Sequence, residues 1–404
     1  MIREELLEVL YEAASIQRWN DHIRPEHFTE LDKQAHKMVY AYVLSKIEEA
    51  DHGTTINWHR LIEGGFFEFL HRIVLTDIKP PVYYKLMAEK GEQLNKWVIE
   101  RLEEKVPELS DSLLEKMKKY YSTPERANLE KRILKAAHYL ATNWEFKIIY
   151  RLNEGLYGLD ETKATIADQI EEHYDLAGVQ KLALGKKTSN FLDLVGQLRF
   201  QQRWAQSPRV PKTSVMGHML IVAMMSYLCS IELNACPKRI YNNYFAALFH
   251  DLPEVLTRDI VSPVKRAVAG IEDIIHEIEH RQLEERIFPL LPKEWHSELH
   301  YFTEDEFASK IIEKGQVRHV GSEAINESYN EDRFNPLDGE IIKACDQLAA
   351  YIETFLSISH GIKSSHLEEG NQQLYARYNN KVIAGINFGR LFSYFKVSQS
   401  SRIK

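Results

Sequence analysis

Apolar side chains recur three and four residues apart along most of the chain. Residues 4–16 show this spacing first, then 34–48, 64–75, 84–105, 111–120 and 129–152. In the second half it returns at 191–203, 214–231, 239–250, 263–288 and 338–360. That period places the apolar groups on one face of a helix. The strict alternation of a half-buried strand is hard to find. Glycine and proline stand at interruptions such as Pro80-Pro81, Pro208, Pro253 and Pro263. Residues 315–337 are polar, with glycine, asparagine and a proline, and read as a loop. The pattern predicts an all-α protein.

The helical pattern also repeats. Ser15-Ile16-Gln17-Arg18-Trp19 is answered by Phe200-Gln201-Gln202-Arg203-Trp204. His36 lies in an apolar helix, as does His218. Asp77-Ile78, followed by Pro80-Pro81-Val82, is answered by Asp259-Ile260, followed by Pro263-Val264. Ile133-Leu134-Lys135-Ala136-Ala137-His138 is answered by Ile341-Ile342-Lys343-Ala344-Cys345-Asp346. Chance matches would rarely keep one order. The 404 residues also suit two domains of roughly 100–200 residues each. The expectation is two related helical domains, 1–182 and 188–404, joined near Gly185-Lys186-Lys187.

Composition narrows the class of protein. Hydrophobic residues make up 44% and charged residues 27%, the balance of a soluble globular chain. A net charge of −8 argues against a nucleic-acid backbone as partner. It leaves room for a small phosphorylated substrate, since one arginine or a metal ion supplies the local charge. Cys229, Cys236 and Cys345 form no C-x-x-C pair and are too few for a disulfide framework. The first ten residues, MIREELLEVL, lack the apolar centre of a signal peptide. No stretch reads as the roughly 18–20 uncharged apolar residues of a membrane span. Together these predict a cytoplasmic protein with reduced thiols and no membrane partner.

The candidate chemistry lies in the second half. His218 sits within VMGHMLIVAMMSYL, His250-Asp251 within LFHDLPEVL, and Asp346 within IIKACDQLAAYIE. Taken singly, a helical histidine is more often a hydrogen-bonded core residue, and a helical aspartate a cap or a solvated side chain. Taken together, two imidazoles and two carboxylates in apolar helices need partners. A mixed nitrogen and oxygen set suits a divalent ion.

The ordered pattern H…HD…D resembles the HD-domain superfamily of metal-dependent phosphohydrolases. Within it the second half looks like the 5′-deoxynucleotidase branch, over roughly residues 191–360. Arg203-Trp204 carries this likeness, as does Gly217-His218 with Val222-Ala223-Met224. The most specific stretch is His250-Asp251 with Glu254-Val255-Leu256-Thr257, Asp259 and Pro263-Val264-Lys265. The resemblance implies two tandem HD-domain-like helical bundles. It implies one divalent ion, whether Mn, Co, Fe, Ni, Zn or Mg, held by His218, His250, Asp251 and Asp346. Arg203 and Trp204 would bind substrate, and Glu254 and Asp259 would serve catalysis.

The substrate expected is a nucleotide, foremost a (deoxy)nucleoside 5′-monophosphate. No glycine-rich phosphate loop or cluster of cations surrounds the motif, which favours a single phosphate. Triphosphate or signalling-nucleotide hydrolysis, and a non-catalytic nucleotide sensor, are the alternatives.

The first half reads as a degenerate copy. Counting on from His36 as from His218 puts Glu68 and Phe69 where the second half has His250 and Asp251, and His138 where it has Asp346. Phenylalanine cannot bind a metal. Such a copy would pair with the second as an intramolecular pseudo-dimer, or bind a regulatory nucleotide around Arg18 and Trp19. One other motif, His276-Glu277-Ile278-Glu279-His280, fits the H-E-x-x-H pattern of zinc proteases. Its neighbours are heavily charged, so it reads as a solvated helix.

Overall fold

A computed structural model describes residues 2–258, 260, 268 and 270–396 of the chain. Asp259 and Pro263-Val264-Lys265 lie outside the described residues. The fold is all-α, with three small two-stranded antiparallel sheets among the described residues.

The chain forms two compact units. One comprises Glu5–Arg199 with Arg286–Lys293; the other comprises Phe200–Glu285 and Glu294 onward, with the first four residues of the chain. The first unit contains α1 (Glu4–Glu12, from Glu5 on), α2 (Glu30–His52), α3 (Trp58–Leu75), α4 (Pro80–Lys105) and α5 (Asp111–Ser122). It continues with α6 (Leu129–Leu152), α7 (Leu159–Glu171), α8 (Ala177–Ala183) and α9 (Lys187–Gly196). Each central helix starts on a side chain suited to the task. Thr29 accepts the amide of Asp32 to open α2, Asn57 that of Arg60 to open α3, and Asn128 that of Lys131 to open α6. Gly53, at φ 61°, ends α2 in the left-handed region that costs glycine nothing.

The break expected at 183–187 does not divide the units. His36 Nε2 lies 2.9 Å from the carbonyl of Leu192, which belongs to α9. Gly196 packs so closely that an added Cβ would stand 2.7 Å from Trp144 and 2.8 Å from His36. Arg199 reaches back to Glu145 at 2.8 Å. The helix expected over 191–203 therefore stops at Gly196, tightens into a 3-10 turn at Gln197–Phe200, and only then leaves the first unit.

The second unit is built on α10 (Val215–Glu232), α11 (Pro237–Phe249) and the helix Gly339–Ser359, which pack on one another. α10 does have the length and apolar composition to cross a membrane, contrary to the sequence expectation. Its side chains lie inside the unit instead, 89% of them buried. Each buried Leu, Ile, Val or Met contributes roughly 1.5–3 kcal/mol relative to exposure. Where α10 meets Gly339–Ser359, the thiols of Cys229 and Cys345 lie 3.8 Å apart.

A buried ion pair fixes where Gly339–Ser359 begins. Arg239 of α11 donates to both carboxylate oxygens of Asp338, at 2.7 and 2.9 Å, and Asn243 adds a bond at 2.7 Å. The position of Asp346, two turns along, is set by this joint. The stretch expected as a loop, 315–337, holds more order than its polarity suggests. Gln316–His319 pairs with Lys310–Glu313 as a hairpin, and helical turns follow at Ser322–Ala324 and Ile325–Tyr329.

Candidate metal centre

Three segments of the second unit meet at one buried place. α10 contributes His218, one turn after its cap: Ser214 accepts the amide of Gly217, and the amide of His218 bonds the carbonyl of Ser214. His250 closes α11, with Asp251 directly after it. Gly339–Ser359 contributes Asp346. Within this set His218 Nε2 lies 2.9 Å from Asp346 Oδ1 and 4.0 Å from Asp251 Oδ2. His250 Nε2 lies 3.2 Å from Asp251 Oδ2. Ligand atoms of His218, His250 and Asp251 all fall within 4.8 Å of one another, as donors around one ion must.

The hydrogen bonds show which atoms are offered. His250 donates from Nδ1 to the carbonyl of Ala247 at 2.8 Å, which turns Nε2 toward Asp251. Among the described residues His250 Nε2 and Asp251 Oδ2 make no hydrogen bond, although both are buried and lie 3.2 Å from each other as an ion pair. Orphaned buried donors of this kind are costly unless something else satisfies them. Two nitrogens and two carboxylate oxygens fit a divalent ion, so these residues can hold one.

The electrostatics agree. Burial opposes a charge on His250, but the Asp251 carboxylate outweighs it and raises the imidazole to about 9. Burial would likewise raise Asp251, yet His250, His218 and Arg203 hold it well below the usual carboxylate range. Asp346 is depressed against burial by His218. The site is thus charged and desolvated, and metal binding would displace its protons.

Arg203 and Trp204 are delivered by a short backbone ladder. The amide of Arg203 bonds the carbonyl of Thr213, and the amide of Val215 bonds that of Gln201, which ties this segment to the start of α10. Trp204 adopts φ 56°, a strained value for a residue with a side chain. Its indole donates to Glu353 at 3.0 Å, and its ring fills the space a Cβ on Gly370 would need. Arg203 lies between carboxylates, 3.9 Å from both Asp251 and Glu353.

Glu254 is buried on the turn after Asp251, its amide bonded to the Asp251 carbonyl. Gln201 holds its own carbonyl at 2.9 Å. It is not one of the three residues whose ligand atoms converge.

Sequence reasoning missed Glu353. This residue is fully buried, two turns after Asp346 on the same helix, and gathers much of the site. Besides Trp204 it accepts from Thr213 at 2.7 Å, and it stands 3.6 Å from Arg209 and 3.8 Å from His218 Nδ1. The repeat expected from the sequence offered a signal: Glu145 stands as far beyond His138 as Glu353 does beyond Asp346.

The histidines of the H-E-x-x-H pattern do not meet there. His276 is exposed and pairs with Glu279, while His280 pairs with Glu304. His300 pairs with Glu284 and Glu304. His280, Glu284 and His300 do come within ligand distance of one another, but on the surface.

The sequence pattern of one known family, the HD domain, matches residues 195–375. Over those residues the chain is similar to HD domains. It is similar to a 5′-deoxynucleotidase of Pasteurella multocida strain Pm70, 24% identical over 197 residues, which are 47% of this chain and 80% of that protein. It is also similar to the 5′-deoxynucleotidase of Erwinia tasmaniensis, 28% identical over 43% of this chain and 75% of that protein. A shorter likeness joins the HD domain to the 4′-phosphooxetanocin A phosphatase of Priestia megaterium, 35% identical over 81 residues, 19% of this chain and 42% of that protein. His218, His250-Asp251 and Asp346 all fall within the residues that match the family.

Proposed function

We propose that the HD domain is a divalent-metal-dependent phosphohydrolase that releases phosphate from nucleoside 5′-monophosphates, deoxynucleotides foremost. The observation that carries this reading is the buried convergence of His218, His250 and Asp251, with His250 Nε2 and Asp251 Oδ2 making no hydrogen bond among the described residues. The relatives are nucleotidases and a phosphatase by name, which supports the substrate class.

His218, His250, Asp251 and Asp346 would hold the ion. Their imidazoles suit Mn, Fe, Co, Ni or Zn, and Mg would need waters to complete its shell. Such an ion supplies polarisation of the phosphoryl group and activation of water. The protein's own groups do the rest. Arg203 presents a planar fork that can take two phosphate oxygens, and its position beside Asp251 places the phosphate at the donor set. Glu254 orients the attacking water and accepts its proton. Trp204, pinned by Glu353, sits against the sugar. Asp259, outside the described residues, is assigned by the resemblance alone to a sugar hydroxyl or to proton transfer.

The test is phosphate release by metal-stripped protein from nucleoside mono-, di- and triphosphates, with Mn²⁺, Co²⁺ or Mg²⁺ restored. Metal-dependent release confined to 5′-monophosphates is the expected result. Release from triphosphates alone would replace the substrate class, and no metal-dependent release from any nucleotide would overturn the reading.

Glu254 has its own test. Glu254→Gln should bind metal as the unmodified protein does and lose about 10²–10⁴-fold in rate, the usual contribution of a positioned acid or base. Normal turnover by this variant would remove Glu254 from the chemistry.

A further inference from the structure

The first unit shows what became of the corresponding site in the other half of the chain. Local hydrogen bonds fix the register. Thr29 caps α2 as Ser214 caps α10, and four residues further on stand Lys33 and His218. Asn57 and Cys236 stand just before α3 and α11, and fourteen residues further on come His71-Arg72 and His250-Asp251. Lys33 meets His138 as His218 meets Asp346. Trp19, at φ 54°, donates to Glu145 at 2.9 Å as Trp204, at φ 56°, donates to Glu353. The ungapped count that paired His36 with His218, and Glu68-Phe69 with His250-Asp251, is therefore corrected. His36 lies a turn further along, against Leu192 and Arg199.

The substitution is chemically directed. Of four donors, one imidazole persists as His71. His218 is answered by a lysine, Asp251 by an arginine and Asp346 by a histidine. No divalent cation suits that set, because it holds no carboxylate and Arg72 is a fixed cation. The acids nearby are already engaged. Glu30 and Glu145 both bind Arg18, at 2.9 Å, and Glu145 also binds Arg199. Glu68 binds Lys37 and the hydroxyl of Tyr120, each at 2.6 Å. Arg72, by contrast, makes no side-chain hydrogen bond or ion pair among the described residues, and its guanidinium lies 4.5 Å from the centre of the Tyr83 ring.

His71, Arg72 and His138, with the already engaged Glu68, border a cavity of about 260 Å³. Tyr83, Tyr120, Tyr121 and Tyr139 supply aromatic walls, and Lys131 and Lys135 stand at its edge. Glu125, which also borders it, is paired with Lys135 at 2.8 Å. The local potential is positive. Burial, then Lys33, Arg72, Lys37 and Arg18, push the His138 imidazole well below its ordinary range. Burial, eased by Glu30 and reinforced by Arg18, Arg72 and Lys37, pushes Lys33 down as well. An anion placed there would relieve both.

We propose that this cavity binds a nucleoside monophosphate without a metal, the phosphate held by Arg72 and His138 and the planar base lying among the tyrosines. The fixed cations take over the charge that a metal supplies in the HD domain. With no carboxylate at the positions of Asp251 and Asp346, the site binds and does not hydrolyse. The sequence expectation placed such a ligand around Arg18 and Trp19, but both side chains are spent on Glu145 and Glu30.

The test uses the full chain in EDTA, which silences metal-dependent binding, with dAMP and inorganic phosphate as calorimetric probes. One equivalent of dAMP should bind, more tightly than phosphate, and equally well when Asp251→Ala has disabled the HD domain. Arg72→Ala should weaken dAMP by about tenfold or more, the worth of a charge-assisted contact. Arg72→Lys should fall between the two, which separates a lost contact from a lost fold. Metal-dependent phosphate release should be unchanged in both Arg72 variants. No binding in EDTA, binding indifferent to Arg72→Ala, or phosphate bound as tightly as dAMP would each overturn the proposal. None of the binding results depends on whether the HD domain turns over nucleotides.

Discussion

Asp251→Ala is expected to abolish metal binding and phosphate release together. Asp251 Oδ2 is the atom closest to His250 Nε2 in the converging set, and it also lies within reach of His218 and Arg203. Its loss removes a ligand and weakens the hold on Arg203. A metal ion contributes several kcal/mol to such reactions, so the rate should fall by about a thousandfold or more. Folding of the metal-free protein should suffer as well, because the carboxylate is the buried counter-charge of His250 and Arg203. Metal content by elemental analysis, phosphate release and thermal unfolding, measured on one preparation, separate these effects. A variant that keeps its metal and its rate would remove Asp251 from the ligand set. One that fails to fold would make it a scaffold residue.

The residues that meet at the candidate site stood out in the sequence because they lie in, or directly after, strongly patterned helices. His218 interrupts an almost wholly apolar run, and Asp346 sits in a helix whose neighbours are Ala, Cys and Leu. Buried polar groups stand out against such backgrounds. Glu353 was not legible in this way, since a glutamate near a helix end reads as a solvated one. Only the three-dimensional meeting of Trp204, Thr213, Arg209 and His218 on its carboxylate reveals it.

The register of the first half failed for another reason. An ungapped count assumes equal spacing, whereas the caps at Thr29 and Ser214 and the starts of α3 and α11 support the correspondence proposed above. The histidine that marks His71 as the counterpart of His250 was in view, but the arginine after it matched no metal pattern. The unit boundary was misplaced because Gly185-Lys186-Lys187 looks like a linker, while the packing that holds α9 depends on the contacts of Leu192, Gly196 and Arg199.

Glu353→Ala should be the most destabilising single change near the metal centre. The carboxylate is fully buried and is held far below its usual range despite burial, by Arg209, His218 and Arg203. Removing one partner of a buried charged cluster leaves the others uncompensated, at a cost of about 3–5 kcal/mol. In a unit of this size that corresponds to a fall of roughly 10 °C or more in Tm. The same change frees the Trp204 indole and the Thr213 hydroxyl, and with them the segment that presents Arg203. Activity should therefore fall even at temperatures where the variant is folded, and weaker substrate binding should appear as a raised KM. Glu353→Gln discriminates between the two roles. It keeps an acceptor for Trp204 and Thr213 but not the charge, so it should restore part of the KM while remaining less stable than the unmodified protein. Should Glu353→Ala melt and turn over normally, the network around this carboxylate carries neither the fold nor the placement of Arg203. If Glu353→Gln is as impaired as Glu353→Ala in both respects, the charge alone, and not the hydrogen-bond geometry, holds the site together.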